Sequence, residues 1–137
     1  MTESALNFEL VSPAARLLSE PALMVTIPGE EGDFGVLVNH TPLVATIRPG
    51  VVQIFTDNKE TPAHKIFIDG GFADVGNDHC TVLAEHAVAL SDLDADKVQA
   101  ELDQAQEDLK LAEGEGDKRR FERKIEIVKA QLFALKS

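Results

Sequence analysis

The chain has 137 residues, 44% of them hydrophobic, which is enough for one ordinary domain with a short appendage. Its 13 basic and 24 acidic side chains leave a net charge of −11, which repels nucleic-acid phosphates and anionic bilayer surfaces alike and excludes both as expected partners. No run approaches the roughly 18 apolar residues of a membrane span, Met1–Leu6 shows no basic-then-apolar export signal, and the single cysteine, Cys80, has no partner for an internal disulfide.

From Phe8 to about Leu90 the chain is a series of short β-rich runs. Phe8-Glu9-Leu10-Val11, Met24-Val25-Thr26-Ile27, Val51-Val52-Gln53-Ile54-Phe55, Ile66-Phe67-Ile68 and Thr81-Val82-Leu83 are the clearest. Turn formers separate them at Pro13, Pro28-Gly29, Pro49-Gly50, Asp57-Asn58, Gly70-Gly71 and Gly76-Asn77-Asp78, at intervals too short for helices. The runs are therefore expected to pair as antiparallel strands in a sandwich or barrel over residues 1–90.

After Leu90 the pattern changes. Val98, Leu102, Ala105, Leu109 and Ala112 follow one another at alternating spacings of four and three, a helical seam. Asp92 or Asp94 is placed to cap its first turn. Gly114-Glu115-Gly116 breaks this helix, Asp117 offers a second cap, and a matching seam runs through Phe121, Ile125, Val128, Leu132 and Leu135. So short a connection makes the two helices antiparallel, each stripe buried against the other, and residues 91–137 form a helical hairpin.

Charge is distributed unevenly along these segments. Residues 1–90 and 91–117 each carry −8, and residues 118–137 carry +5. The basic set, Lys118, Arg119, Arg120, Arg123, Lys124, Lys129 and Lys136, is expected to lie opposite an acidic partner helix. Exposed pairs across it would each contribute only about 0–1 kcal/mol. A basic helix held so lightly is free to leave for an acidic surface elsewhere.

Signals for catalysis are sparse. His40, His64, His79 and His86 have no zinc-ligand spacing, and adjacent His79-Cys80 on a strand point to opposite faces. Gly29 to Gly35 is glycine-rich but lacks the lysine and following helix of a phosphate loop. No metal site and no catalytic residue is assigned. A stand-alone sandwich with a coiled-coil hairpin for scaffolding or chaperoning is the rival binding-module reading, and a small-molecule enzyme would need a deep polar pocket that no motif announces.

Pro28-Gly29-Glu30-Glu31-Gly32-Asp33-Phe34-Gly35-Val36-Leu37, then Asn39-His40-Thr41-Pro42-Leu43, then Ile47-Arg48-Pro49-Gly50-Val51, resembles the epsilon subunit family of F-type ATP synthases. So does Gly70-Gly71-Phe72-Ala73-Asp74-Val75 leading into Thr81-Val82-Leu83-Ala84-Glu85. The order and spacing of these motifs cover the sheet half closely, and the helical half agrees in length and layout. The resemblance implies a mostly β plus α architecture, with a flattened sandwich of about ten strands followed by a two-helix hairpin. It also implies a non-catalytic role in the central stalk, peripheral to the cytoplasmic face of the bacterial inner membrane. The implied partners are the gamma subunit, the rotor ring and the alpha/beta catalytic hexamer.

By the same resemblance, Glu31, Asp33 and His40 match the family's ring-facing loop, and Asp33 and His40 are the expected contacts to the ring's polar loops. Lys118, Arg119, Arg120, Arg123 and Lys124 match the part of a raised hairpin that reaches acidic segments of the catalytic subunits and obstructs rotation in the hydrolysis direction. Some members bind ATP through Ile/Leu-Asp-x-x-Arg-Ala at the first helix, where this chain reads Leu93-Asp94-Ala95-Asp96-Lys97-Val98. Lys97 in place of arginine removes the bidentate phosphate fork, Val98 fills the small position, and Asp92 and Asp96 add repulsion. Asp94 and Lys97 therefore form at most a degenerate ATP site, and no cofactor is expected.

Overall fold

Along Leu6–Val11 every second side chain, Leu6, Phe8 and Leu10, is buried, the period-two signature of a strand with one face in a core. The computed structural model describes residues 5–136, so Met1–Ser4, most of the stretch read for an export signal, lie outside the described residues. The chain divides between Ala89 and Leu90 into two compact units.

The first unit is a single sheet of ten strands among the described residues. They are β1 (Leu6–Val11), β2 (Arg16–Ala22), β3 (Met24–Gly29), β4 (Gly32–Leu37), β5 (Leu43–Ile47), β6 (Gly50–Phe55), β7 (His64–Ile68), β8 (Gly71–Val75), β9 (His79–Ala84) and β10 (Ala87–Ala89). Their spatial order is β10-β7-β6-β3-β5-β8-β9-β1-β2, with β4 on the remaining edge of β3. The Leu23 N–H donates to the Phe55 carbonyl at 2.7 Å, and His64 Nε2 lies 2.7 Å from Glu20 Oε1. Both links tie the region of the β2 end to the β6–β7 side, so the sheet curls over one apolar core that includes Leu6, Phe8, Val25, Ile54, Ile68 and Val82. Pro21 is tolerated within β2 because that strand is an edge, where a missing N–H breaks no second ladder.

The five β-rich runs read from the sequence all lie inside strands. Two features differ from the expectation. β1 and β9 pair in parallel, Phe8 opposite Cys80 and Leu10 opposite Val82. They lie far apart in the chain, so no tight turn dictates their direction, and apolar alternation carries no sign of it. Pro49-Gly50 does not reverse the chain: β5 and β6 both run antiparallel to β3 and follow one another along the same edge of it. Arg48-Pro49 is a corner in one long bent strand. Gly71 shows how tightly the paired strands β8 and β9 approach. Its φ is +151°, and a Cβ there would sit 1.9 Å from the Leu83 carbonyl oxygen.

The second unit opens with a 3₁₀ turn, Leu90–Asp92, and contains α1 (Ala95–Leu111) and α2 (Glu115–Leu135). Val98, Leu102 and Val128 form its core, with Leu93, Ile125, Leu132 and Leu135 packed around them. All of these but Leu93 are residues the four-three spacing selects, while the seam positions Leu109, Ala112 and Phe121 lie outside this cluster. Asp94 is the N-cap of α1, its carboxylate accepting from the N–H groups of Asp96 at 2.9 Å and Lys97 at 3.4 Å. Gly114, not Asp117, is the N-cap of α2. Gly116 is accommodated inside the helix, and Asp117 sits in the first turn, where it favours the positive end of the dipole and lies 3.6 Å from Arg120. Among the described residues no ion pair bridges α1 and α2; the two helical pairs, Lys110–Glu107 and Arg120–Asp117, are each within one helix. The expected electrostatic closure is therefore absent as direct pairs, and the apolar seam holds the hairpin. No described helix is long and apolar enough to cross a membrane.

Candidate functional site

Three surfaces gather the residues that sequence motifs single out. The first is the tip of the β3–β4 hairpin. Gly29 pairs with Gly32, so Glu30-Glu31 is a two-residue turn, and Gly32 supplies the positive φ of +133° that the reversal needs. Glu30 and Glu31 are exposed, and neither forms an ion pair among the described residues. Asp33 is exposed as well, but its Oδ1 lies 2.6 Å from Arg48 Nη2. The same guanidinium donates through Nη1 to the Gly29 carbonyl at 2.6 Å. A cleft of roughly 350 Å³ between this turn and β5 is lined by Glu30, Glu31, Phe34, Leu43 and Val44 among others.

His40 is not at this tip. Glu31 immediately precedes β4 and His40 follows its end, so a six-residue strand separates them, about 20 Å at roughly 3.3 Å per residue. There His40 Nδ1 donates to the Thr41 carbonyl at 2.6 Å, and the neighbouring Asn39 N–H donates to the Asn77 carbonyl of the β8–β9 turn. The motif joined the two positions because they are close in sequence. A strand between them carries the chain to the other end of the hairpin.

The second surface is the outward face of β5, β8, β9 and β1, where the motifs run through Phe72 and Leu83 without assigning them a contact. Cross-strand register puts Thr46, Phe72, Leu83 and Val11 in one row, and Val44, Asp74, Thr81 and Glu9 in the next. Their chain neighbours Ala73, Cys80 and Val82 point into the core. Phe72 is 54% exposed, Leu83 46% and Val44 72%. Phe72 and Leu83 face each other directly across the β8–β9 ladder, an arrangement that leaves a contiguous apolar strip in water. Period-two alternation was the available signal: Phe72 and Leu83 are large apolar residues at the polar phase of their strands. On the buried face, the Cys80 thiol is pushed up to about 12, first by burial and then by the Asp74 charge, so it is neutral and unreactive in the folded chain.

The third surface is the first two turns of α2. Arg119, Arg120, Arg123 and Lys124 are exposed and Lys118 is half-buried. Arg120 stacks over the Phe121 ring at 4.8 Å and is the one member of the cluster with an ion pair among the described residues. Asp94 and Lys97 lie in the first turn of α1, where the Asp94 carboxylate is committed to the cap. Asp92 and Asp96 add negative charge on either side of it. Among the described residues no group of three or more His, Cys, Asp or Glu side chains is placed to hold a metal ion.

Residues 5–90 match the family described as ATP synthase, Delta/Epsilon chain, beta-sandwich domain. Similar proteins include the ATP synthase epsilon chain of Rhodospirillum centenum, 39% identical over 96% of this chain and 92% of the relative. The ATP synthase epsilon chain of Rhodospirillum rubrum is 44% identical over 95% and 96%, respectively. Among solved structures, a chain of the Euglena gracilis mitochondrial ATP synthase OSCP/F1/c-ring assembly superposes with a TM-score of 0.84 at 25% identity, covering 97% of this chain and 82% of that one. A chain of the Tetrahymena thermophila mitochondrial ATP synthase central stalk and c-ring shares the fold, with a TM-score of 0.66 at 16% identity.

Proposed function

The chain belongs to the epsilon chain family of ATP synthases, and from that premise we propose how its surfaces serve the rotary complex. It is a non-catalytic subunit of the central stalk of an F-type ATP synthase. It joins the catalytic head to the rotor ring through the gamma subunit. On this reading it is peripheral, at the cytoplasmic face of the bacterial inner membrane.

The observation that carries this reading is the apolar strip of Phe72 and Leu83, with Val11 beside them. A sheet with its own complete core has no internal use for these side chains on the wet face. Association with a partner buries them. On this reading gamma covers the strip, and the acidic turn at Glu30-Glu31, with Asp33 beside it, meets basic loops of the ring. His40, at the other end of β4, serves a separate contact. The exposed Arg119, Arg123 and Lys124, with Lys118 and Arg120, form the face that a raised hairpin presents to acidic segments of the catalytic hexamer.

The test is the double substitution Phe72→Glu with Leu83→Glu in the full chain. Both sites are exposed, so the isolated chain keeps its fold, while binding to gamma falls by at least roughly 100-fold because two charges are buried without partners. Undiminished binding would move gamma to another face. For the hairpin, ending the chain at Ala89 raises ATP hydrolysis by the assembled enzyme. Unchanged hydrolysis would remove regulation from the reading.

A further inference from the structure

Arg48 sits at the β5–β6 corner, directly beside the end of β3. Its backbone N–H donates to the Pro28 carbonyl at 2.9 Å, and Pro28 pairs on its other side with Asp33. Arg48 at the corner thus lies beside Pro28, whose cross-strand partner is Asp33, and the Arg48 side chain reaches across β3. It binds the Gly29 carbonyl through Nη1 and Asp33 Oδ1 through Nη2, both at 2.6 Å. One guanidinium therefore brackets the two residues that enter and leave the turn region around Glu30-Glu31. The Glu30 N–H donates to the Thr46 carbonyl at 3.0 Å, which ties the turn to the strand that leads into the same corner.

We propose that Arg48 is the positioning residue of the acidic turn: it neutralises Asp33 within the chain, fixes the hairpin tip against the β5–β6 corner, and leaves Glu30 and Glu31 as the carboxylates offered to a cationic partner loop. This rests on the reading of the turn as the ring contact. It changes the part assigned to Asp33, from direct contact to anchor. The chemistry favours arginine, because a planar fork can satisfy a carbonyl and a carboxylate together, whereas a lysine ammonium offers a single point charge on a flexible stem. A turn held in place presents its two charges without first losing conformational freedom on binding.

The experiment restores ATP-driven proton pumping in membrane vesicles stripped of this subunit, by titrating in the full chain or its variants. Glu30→Gln with Glu31→Gln tests the contact itself, and Arg48→Gln, Arg48→Lys, Asp33→Asn and Arg48→Gln with Asp33→Asn test the clamp. The proposal expects Arg48→Gln to raise the amount of chain needed for half-maximal pumping roughly three- to ten-fold, with Arg48→Lys intermediate. The double variant is no worse than Arg48→Gln alone, because both groups act through one pair. Binding to gamma and the melting temperature of the isolated chain stay close to those of the parent, which a general loss of structure would not allow. Hydrogen exchange at the Glu30 amide becomes faster in Arg48→Gln, a readout that needs no partner. If the glutamate pair variant weakens pumping and the Arg48 variants do not, the clamp is overturned and the contact stands. If the glutamate pair variant changes nothing, the ring contact at this turn falls and the clamp's role falls with it.

Discussion

At Gly71 a hydrogen in place of a methyl group decides whether β8 can lie against β9, since a Cβ would overlap the Leu83 carbonyl oxygen. Gly71→Ala is expected to destabilise the sandwich by roughly 2–4 kcal/mol, measured by denaturant unfolding, because it adds both a clash and a strained φ. Cys80 makes a different prediction. Its folded thiol is raised to about 12, above the roughly 8.5 of an unfolded thiol. Burial of the neutral thiol therefore contributes stability fully below the unfolded value, and that contribution is lost as pH rises from there toward the folded one. Thiol reagents at pH 8 should label the native chain only as fast as it opens, and rapid stoichiometric labelling would show that Cys80 is accessible. At this scale the sequence was legible where chemistry is local. Asp94 as a helix cap needs only its neighbours in the chain, and adjacent His79 and Cys80 on opposite strand faces need only the period of two. The surroundings of Asp33 and His40 were not legible, because Arg48, Asp33's partner, comes from the β5–β6 corner and His40's distance from the tip is set by a strand in between.

Elements repeat the distinction. The hairpin was legible almost residue by residue, since alternating four-three spacing carries both the helical period and the buried stripe. Its boundary shifted only where Gly114 and Asp117 competed for the cap, and glycine at the cap leaves the acid in the first turn. What the sequence did not convey is that no ion pair among the described residues bridges the helices, because segment charges count side chains without locating them. Two outcomes follow. Leu102→Ala, at a core position, should cost the hairpin about 2–4 kcal/mol by helical circular dichroism. Arg123→Gln with Lys124→Gln should leave its melting temperature unchanged in low and high salt alike, and a clear loss at low salt only would reinstate electrostatic closure. In the sheet, strand existence was legible from β-rich runs, whereas the parallel β1–β9 pair and the Arg48-Pro49 corner were not. Turn formers mark where a strand is interrupted, and only the partner strand decides whether the interruption is a reversal or a bend.

For the whole molecule, attachment falls to the sandwich and restraint to the hairpin on the proposed reading. The sandwich holds a complete core and still exposes Phe72, Leu83 and Val44, so its unspent surface is outside, available to a stalk. Net charge follows the same division, with an acidic body and a basic second helix, and on the proposed reading these face basic ring loops and acidic catalytic subunits respectively. Family motifs made membership of the epsilon chain family legible in the sequence, whereas the apolar strip emerged only from cross-strand register. The most direct measurement is ATP-driven proton pumping in vesicles stripped of the native subunit, with and without the added full chain. The account predicts that head and ring remain uncoupled until the chain is added, and that the Phe72→Glu, Leu83→Glu variant fails to restore pumping at concentrations where the parent saturates. Pumping restored equally by that variant, or already complete without the chain, would contradict it.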